Sequence, residues 1–487
     1  MDDKSNIFTM KNKIINCIYI FSILIITSNC SVNPSTGKSE FVIMSEREED
    51  QIGKKEHPKI IKSFGGIYKD EKLQNYVESL GDFLVNTSEL SNKKFTFTIL
   101  NSPIVNAFAL PGGYIYLTRG LIYLCQNEAQ LAGVIAHEIG HVTARHTAKR
   151  YTKNFGVGLL ANILGVINKN MVVNDLVNKS ASLYLLSFSR SQEYEADRLA
   201  VRYMARAGFD PNQMGEFLRL MEKFSRLKRK IVKDLGETSE LLKTHPNSSK
   251  RVIEVIKNSK EKIPFNPITG SEVFLKKIDG MIYGEKPEEG FFVKNTFIHK
   301  KLDFSFSFSK SFYFLNNPNY LLGITDKDTK IFFDIDKTKE ENTLQYLSEW
   351  IKVPERKSLD YKSEVLNNYK ISSGLIKRKK NILQVFAISD ENLIYRFVLI
   401  TNKNEFNIFS EQFEAVAYSF DRVSSNQRLS SLDPPKIRIL RNLQDKKFIS
   451  SIKEKITLQT KYAKEIFETI NDLESKPHEK EKIKLIY

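Results

Sequence analysis

Histidine, cysteine and tryptophan are scarce: the 487 residues include 7, 3 and 1 of them, and each shortage excludes something. With only Cys17, Cys30 and Cys125, no disulfide framework can staple the chain, so its stability must come from buried apolar surface. Cys125, inside Leu124-Cys125-Gln126, reads as a small packed hydrophobe. Long apolar runs are missing as well. The N-terminal run from Ile14 to Ile26 falls short of the ~20 residues that cross a bilayer. No nucleic-acid-binding module accompanies the excess of 74 Lys+Arg over 58 Asp+Glu, and basic runs such as Lys377 to Lys380 read as solvated turns. Nucleic acid is therefore not an expected partner. A make-up of 41% hydrophobic and 27% charged residues is that of a folded globular protein, and the length favours roughly two to four domains.

The apolar run follows Lys11 and Lys13 and stops at Thr27, Ser28, Asn29 and Cys30, the layout of a secretory leader. Its end resembles a bacterial lipoprotein processing site. Residues 1–29 then read as a signal peptide and Cys30 as the acylated first residue of the mature chain, anchoring it to a membrane of the bacterial envelope. An uncleaved signal anchor is the alternative. Residues 30–61 are polar, with turn signals at Asn33-Pro34-Ser35-Thr36-Gly37, and read as a tether.

Residues 62–263 read as an α-rich domain with a small sheet. Asp70 opens a helical pattern through Leu73, Val77, Leu80 and Leu84, and strand signals follow at Phe95 to Ile99, Asn106 to Leu110 and Tyr114 to Thr118. Glu128 to Arg150 reads as one long helix despite Gly133 and Gly140, each costing about 1 kcal/mol relative to Ala. The apolar stretch 155–167 is a buried helix or a membrane-facing flap. Beyond Pro264 alternating patterns such as Phe304, Phe306 and Phe308 make residues 285–425 a second, α+β domain, and 436–487 a small C-terminal module.

The chemistry concentrates at His137-Glu138-Ile139-Gly140-His141. Positions i and i+4 differ by about 40° around an α-helix, so both imidazoles can face one ion with Glu138 beside them, the H-E-x-x-H arrangement of zinc hydrolases. A hydrolytic Zn2+ needs a third protein ligand and an open position. Glu193 is the candidate third ligand, and Asp197, one turn on, can accept the outer N–H of a ligating histidine and fix its tautomer. Glu138 is then the general base for water attack on a peptide carbonyl. Glu195 falls on the opposite side of that helix and reads as solvated. His146 lies about 140° from His141 on a continuous helix and so faces away from the ion.

These residues resemble the zinc peptidases typified by the CAAX prenyl protease, the mitochondrial inner-membrane stress peptidase and the bacterial periplasmic BepA-like lipoproteins, which are gluzincin-type enzymes. The likeness runs through Asn33-Pro34-x-Thr36-Gly37, Asn106-Ala107-Phe108-Ala109-x-Pro111-Gly112-Gly113, His137 to His141, Arg190-x-x-Glu193-x-Glu195-Ala196-Asp197, and Thr244-His245-Pro246 with Arg251. It implies that the strand at 114–118 borders the cleft and pairs with an extended substrate. It also implies that His245 and Arg251 face the zinc, stabilising an oxyanion, or that His245 caps the metal in a resting state. From its neighbours alone, His245 is a turn residue before proline. The resemblance further implies unfolded or unassembled envelope proteins as substrates, a periplasmic, lipid-anchored place at the outer membrane, and a LysM-like module over 436–487 in possible contact with peptidoglycan. A zinc-stabilised scaffold without catalysis is the competing reading.

Overall fold

A computed structural model of the chain describes residues 30–487 except 38, 153–186, 232–244, 246–248, 442–461, 474–481 and a few short stretches between 261 and 367. The leader at 1–29, the apolar stretch 155–167, and Thr244 and Pro246 lie outside the described residues. Among those described, no helix is long and apolar enough to cross a membrane. The chain mixes helix and sheet and divides into two compact units, Met1–Glu222 with Ser239–Lys277, and Lys223–Thr238 with Ile278–Tyr487.

The first unit opens with a short antiparallel pair, β1 (Cys30–Val32) and β2 (Ser39–Phe41), followed by helix α1 (Glu46–Ser63). Residues 30–61 are thus not a tether but folded structure. Ser45 and Glu48 form a reciprocal capping box that starts α1. The buried face of α1 consists of Glu49, Gly53, Glu56 and Ile60. Hydrophobicity along the sequence does not register that face, because its two carboxylates are buried with cationic partners: Glu49 Oε1 lies 3.1 Å from Arg145 Nε, and Glu56 Oε1 lies 2.8 Å from Lys59 Nζ. Ile60 joins Leu100, Phe108, Leu110 and Tyr116 in one apolar cluster. Ile60→Ala is expected to cost about 2–5 kcal/mol, read as a lower urea midpoint at unchanged m; a tether would show no change.

Helix α2 (Glu71–Val85), capped by Asp70, leads into a three-stranded sheet of β3 (Thr96–Leu100), β4 (Ala107–Leu110) and β5 (Tyr114–Thr118). Gly112 and Gly113, both at positive φ (+83° and +85°), turn β4 back onto β5. The strand order is β3-β5-β4, with β5 parallel to β3 and antiparallel to β4. The expectation that 114–118 pairs with substrate is therefore corrected: β5 is central and both its sides are hydrogen-bonded. Alternating side chains identify a strand but not its neighbours, which here are chosen by the glycine turn and by the parallel docking of β3. The far side of β3 is met at its end by 66–68 (Tyr68 N donates to Ile99 O at 2.8 Å, Asn101 N to Gly66 O at 2.9 Å), which leaves β4 as the less engaged edge among the described residues.

Helices α3 (Arg119–Leu124), α4 (Glu128–Thr143), α5 (Arg190–Arg206), α6 (Asn212–Ile231), α7 (Ser249–Lys260) and α8 (Ser271–Ile278) follow. Residues of α6 fall in both units. Helix α4 starts at Asn127, whose side chain accepts from Gln130 N, and is buried almost all round. Its glycines are contact points. A Cβ on Gly133 would lie 3.2 Å from Met214 Cβ, and one on Gly140 would lie 3.2 Å from Ala196 O and from Leu199 Cβ of α5.

The second unit contains the three-stranded β6 (Phe291–Val293), β7 (Thr296–His299) and β8 (Phe304–Ser307). It also contains an antiparallel sheet of β9 (Tyr313–Asn317), β10 (Tyr320–Ile324), β11 (Lys330–Lys337), β12 (Lys362–Leu366), β13 (Tyr369–Lys377), β14 (Asn381–Asp390) and β15 (Leu393–Asn402) in the order β12-β13-β14-β15-β11-β10-β9. Helix α9 (Thr343–Ile351) packs Leu347 against Val385 and Ala387. Helix α10 (Phe406–Tyr418) sets Phe409 and Phe413 into an aromatic core with Phe304, Phe306, Phe333 and Phe397. Near the C-terminus β16 (Ile437–Arg441) pairs antiparallel with β17 (Lys482–Ile486), and α11 (Ala463–Ile470) lies between them in sequence.

Candidate metal centre

Helix α4 carries His137 and His141 one turn apart, α5 brings Glu193, and His245 enters from the segment before α7. His137 Nε2 is 3.0 Å from His141 Nε2 and 3.7 Å from Glu193 Oε2, and His141 Nε2 is 3.6 Å from Glu193 Oε1. His245 Nδ1 stands 3.3 Å from His137 Nε2 and 3.1 Å from Glu193 Oε1. All four residues are buried, and their ligand atoms lie within 4.8 Å of one another. Donors about 2.0–2.1 Å from a tetrahedral Zn2+ are about 3.3–3.4 Å apart, so the donor set and its spacing fit such an ion. Glu138 adds a second sign. It is 1% exposed, and neither carboxylate oxygen has a hydrogen-bond partner among the described residues, although His245 Nε2 comes to 3.4 Å of Oε1. An isolated buried carboxylate is costly unless something outside the chain meets it.

Around this cluster α5 supplies further carboxylates. Asp197 Oδ1 lies 3.0 Å from His137 Nδ1, the nitrogen that faces away from the ligand cluster. The Arg251 guanidinium grips Asp197 in bidentate fashion (Nε to Oδ2 2.8 Å, Nη2 to Oδ1 2.7 Å), and its Nη1 reaches Glu193 Oε2 at 2.6 Å. Its donors thus meet both carboxylates of α5 that face the cluster, and Nη1 also lies 3.5 Å from the His245 carbonyl. Phe188 stacks on the His141 ring, centroids 3.9 Å apart, and the Arg150 guanidinium lies over the Phe188 ring, 4.5 Å from its centroid.

Three expectations are corrected here. The helix from Glu128 does not reach Arg150: α4 ends at Thr143, Arg145 adopts a left-handed conformation (φ +53°), and a new helical segment begins at His146. No glycine or proline marks the break. It is held instead by the Arg145 side chain, whose Nη2 donates to Met44 O at 2.6 Å and whose Nε meets Glu49. The turn brings His146 back toward the site, so it does not face away. Its Nδ1 is 2.9 Å from His141 Nδ1, and its Nε2 is 3.2 Å from Glu195 Oε2. Glu195 is accordingly engaged rather than solvated.

The electrostatics divide the carboxylates. Burial raises the pKa of Glu138 against the opposing pull of His245 and His137. Burial also pushes Glu193 and Asp197 up, but His245 and Arg251 outweigh it for Glu193, and Arg251 with His137 holds Asp197 down at about 2. For His141 burial and the neighbouring imidazoles act together and keep the ring neutral, the form that ligates a metal. His245 is pushed down by burial and pulled up further by Glu193 and Glu138.

The close approach at Gly140 sets the distance from the α4 histidines to Glu193. Gly140→Leu must push α5 away, and it is expected to weaken Zn2+ binding by about tenfold or more in competition with a chelator, with helical content undiminished.

The sequence profile of peptidase family M48 matches residues 71–259. The chain is 38% identical over 166 residues to the mitochondrial metalloendopeptidase OMA1 of Arabidopsis thaliana, covering 34% of this chain and 32% of that protein. It is 31% identical over 251 residues to the beta-barrel assembly-enhancing protease of Yersinia pestis and 30% identical over 253 residues to that of Escherichia coli, each alignment covering 50% of both chains. The chain thus spans between about a third and a half of the length of these relatives. The matched region contains the paired histidines of α4, the carboxylates of α5 and both His245 and Arg251, so it is over residues 71–259 that the chain is similar to peptidase family M48.

Proposed function

We propose that the protein is a zinc-dependent endopeptidase acting on exposed stretches of unfolded or unassembled envelope proteins. The observation that carries this reading is a buried set of metal-type donors, His137, His141 and Glu193, beside a Glu138 carboxylate with no partner among the described residues. Zn2+ held by those donors supplies Lewis acidity toward a carbonyl and makes the attacking water more acidic. Glu138 takes the water proton and delivers it to the leaving amine, and its raised basicity suits that work. Asp197 fixes the His137 ring, and Arg251 holds Asp197 and Glu193 in place. An extended substrate would add to the edge of β4, which requires backbone hydrogen bonds and little side-chain selectivity.

His245 occupies the place of a fourth donor, which supports a resting state closed by that residue. If so, His245→Ala raises cleavage of unfolded substrate, whereas a role on the oxyanion makes the same variant slower. The relatives' name, beta-barrel assembly-enhancing protease, supports quality control of proteins of the bacterial envelope, and the apolar run that stops at Cys30 supports that residue as the lipid anchor of a periplasmic protein at the outer membrane. The C-terminal strand pair, whose β17 backbone at Lys484 exchanges hydrogen bonds with the Asn471 amide at the end of α11, supports a LysM-like module, so retention of the full chain on peptidoglycan is its test. The function itself is tested with the mature protein, metal analysis and unfolded casein. Cleavage that stops on chelation and returns with Zn2+ is the expected result. A protein that binds zinc tightly and cleaves nothing, with or without His245, supports the non-catalytic scaffold instead.

A further inference from the structure

We infer that His146 and Glu195 form a positioning relay that sets the tautomer of His141 and so holds its Nε2 lone pair on the metal. The inference rests on the metallopeptidase reading and deepens it. Ionised Glu195 can only accept hydrogen bonds, so His146 Nε2, 3.2 Å from Glu195 Oε2, carries the proton of the neutral ring. His146 Nδ1 is then a lone pair. It faces His141 Nδ1 at 2.9 Å, which must therefore be N–H, and His141 Nε2 is left unprotonated toward His137 Nε2 and Glu193. The other histidine is treated in the same way by a single step, Asp197 to His137 Nδ1. Helix α5 thus supplies a candidate ligand at Glu193 and both tautomer-setting carboxylates, at Glu195 through His146 and at Asp197 directly. Alternate residues of one helix serve both histidines because the helix break at Arg145 puts an imidazole between Glu195 and His141. His146 is wholly buried, and Gln192 Nε2 donates to its main-chain carbonyl at 3.3 Å, which ties the backbone that carries the ring to α5.

The test measures zinc affinity of the full mature chain by chelator competition for the wild type, His146→Phe and His146→Asn. The asparagine oxygen can reach the place of His146 Nδ1, whereas phenylalanine fills the space without an acceptor. His146→Phe is expected to weaken Zn2+ binding by about 10–100-fold, with His146→Asn recovering most of it. Equal affinities for His146→Phe and wild type, or an asparagine variant no better than phenylalanine, overturn the inference. A readout that needs no variant is the nitrogen-15 spectrum of the zinc-loaded wild type. His146 as the Nε2–H tautomer is expected, and the Nδ1–H tautomer overturns the relay. A wild type that takes up no zinc overturns the metallopeptidase reading itself, a result distinct from a zinc-binding wild type indifferent to His146.

Discussion

Glu138→Gln is expected to lower kcat/KM for an unfolded protein substrate by about 10²–10⁴-fold while the zinc content stays that of the wild type. The amide keeps the shape of the carboxylate and cannot take up a proton, so the loss isolates proton transfer. The structure adds an expectation about stability. Because the Glu138 oxygens are buried without hydrogen-bond partners among the described residues, replacing a charge by a neutral amide removes a desolvation cost. The variant should therefore be at least as stable as the wild type in urea, the signature of a residue kept for chemistry at the expense of stability. Wild-type cleavage by Glu138→Gln would refute the proposed mechanism. A large loss of stability would mean instead that the carboxylate has a structural partner.

Arg251→Met is expected to be the most damaging change to stability, about 3–5 kcal/mol in the metal-free protein. The side chain is 3% exposed and neutralises Asp197 and Glu193 together, and methionine fills similar space while leaving two carboxylates buried without their cation. The pH dependence follows with a definite sign. Asp197 is held at about 2 in the folded chain, below the value of about 3.9 for an unfolded aspartate. Its contribution is thus complete above about pH 4 and is lost as pH falls toward about 2. The urea midpoint of the wild type should drop over that acidic range, and in Arg251→Met this part of the slope should flatten. A midpoint for Arg251→Met within error of wild type would show that the ion pairs are worth no more than hydrophobic packing of the same volume.

The local features were legible because each depends on a few neighbouring residues. The helical spacing of His137 and His141, the Asp70 cap and strand signals at 95–99 and 114–118, where the structure has β3 and β5, all follow from periodicity and local hydrogen bonding. So does the aromatic alternation of β8. The first helix was obscured for a definable reason. Glu49 and Glu56 look like surface residues in a hydrophobicity count, and only their cations, Arg145 about a hundred residues away in one case, make them tolerable in the interior.

By itself the sequence determined which helix presents two imidazoles to one side, that Glu138 accompanies them, and that a carboxylate and an orienting aspartate recur four residues apart downstream. Only the tertiary structure decided that β5 is interior to its sheet, that Arg251 binds carboxylates, and that His146 turns toward His141. Those outcomes depend on contacts between distant segments, and above all on Arg145. A left-handed arginine has no local signature; it is stabilised by Met44 and Glu49 across the fold, and this turn changes His146 from a residue facing away into one that orients the candidate ligand.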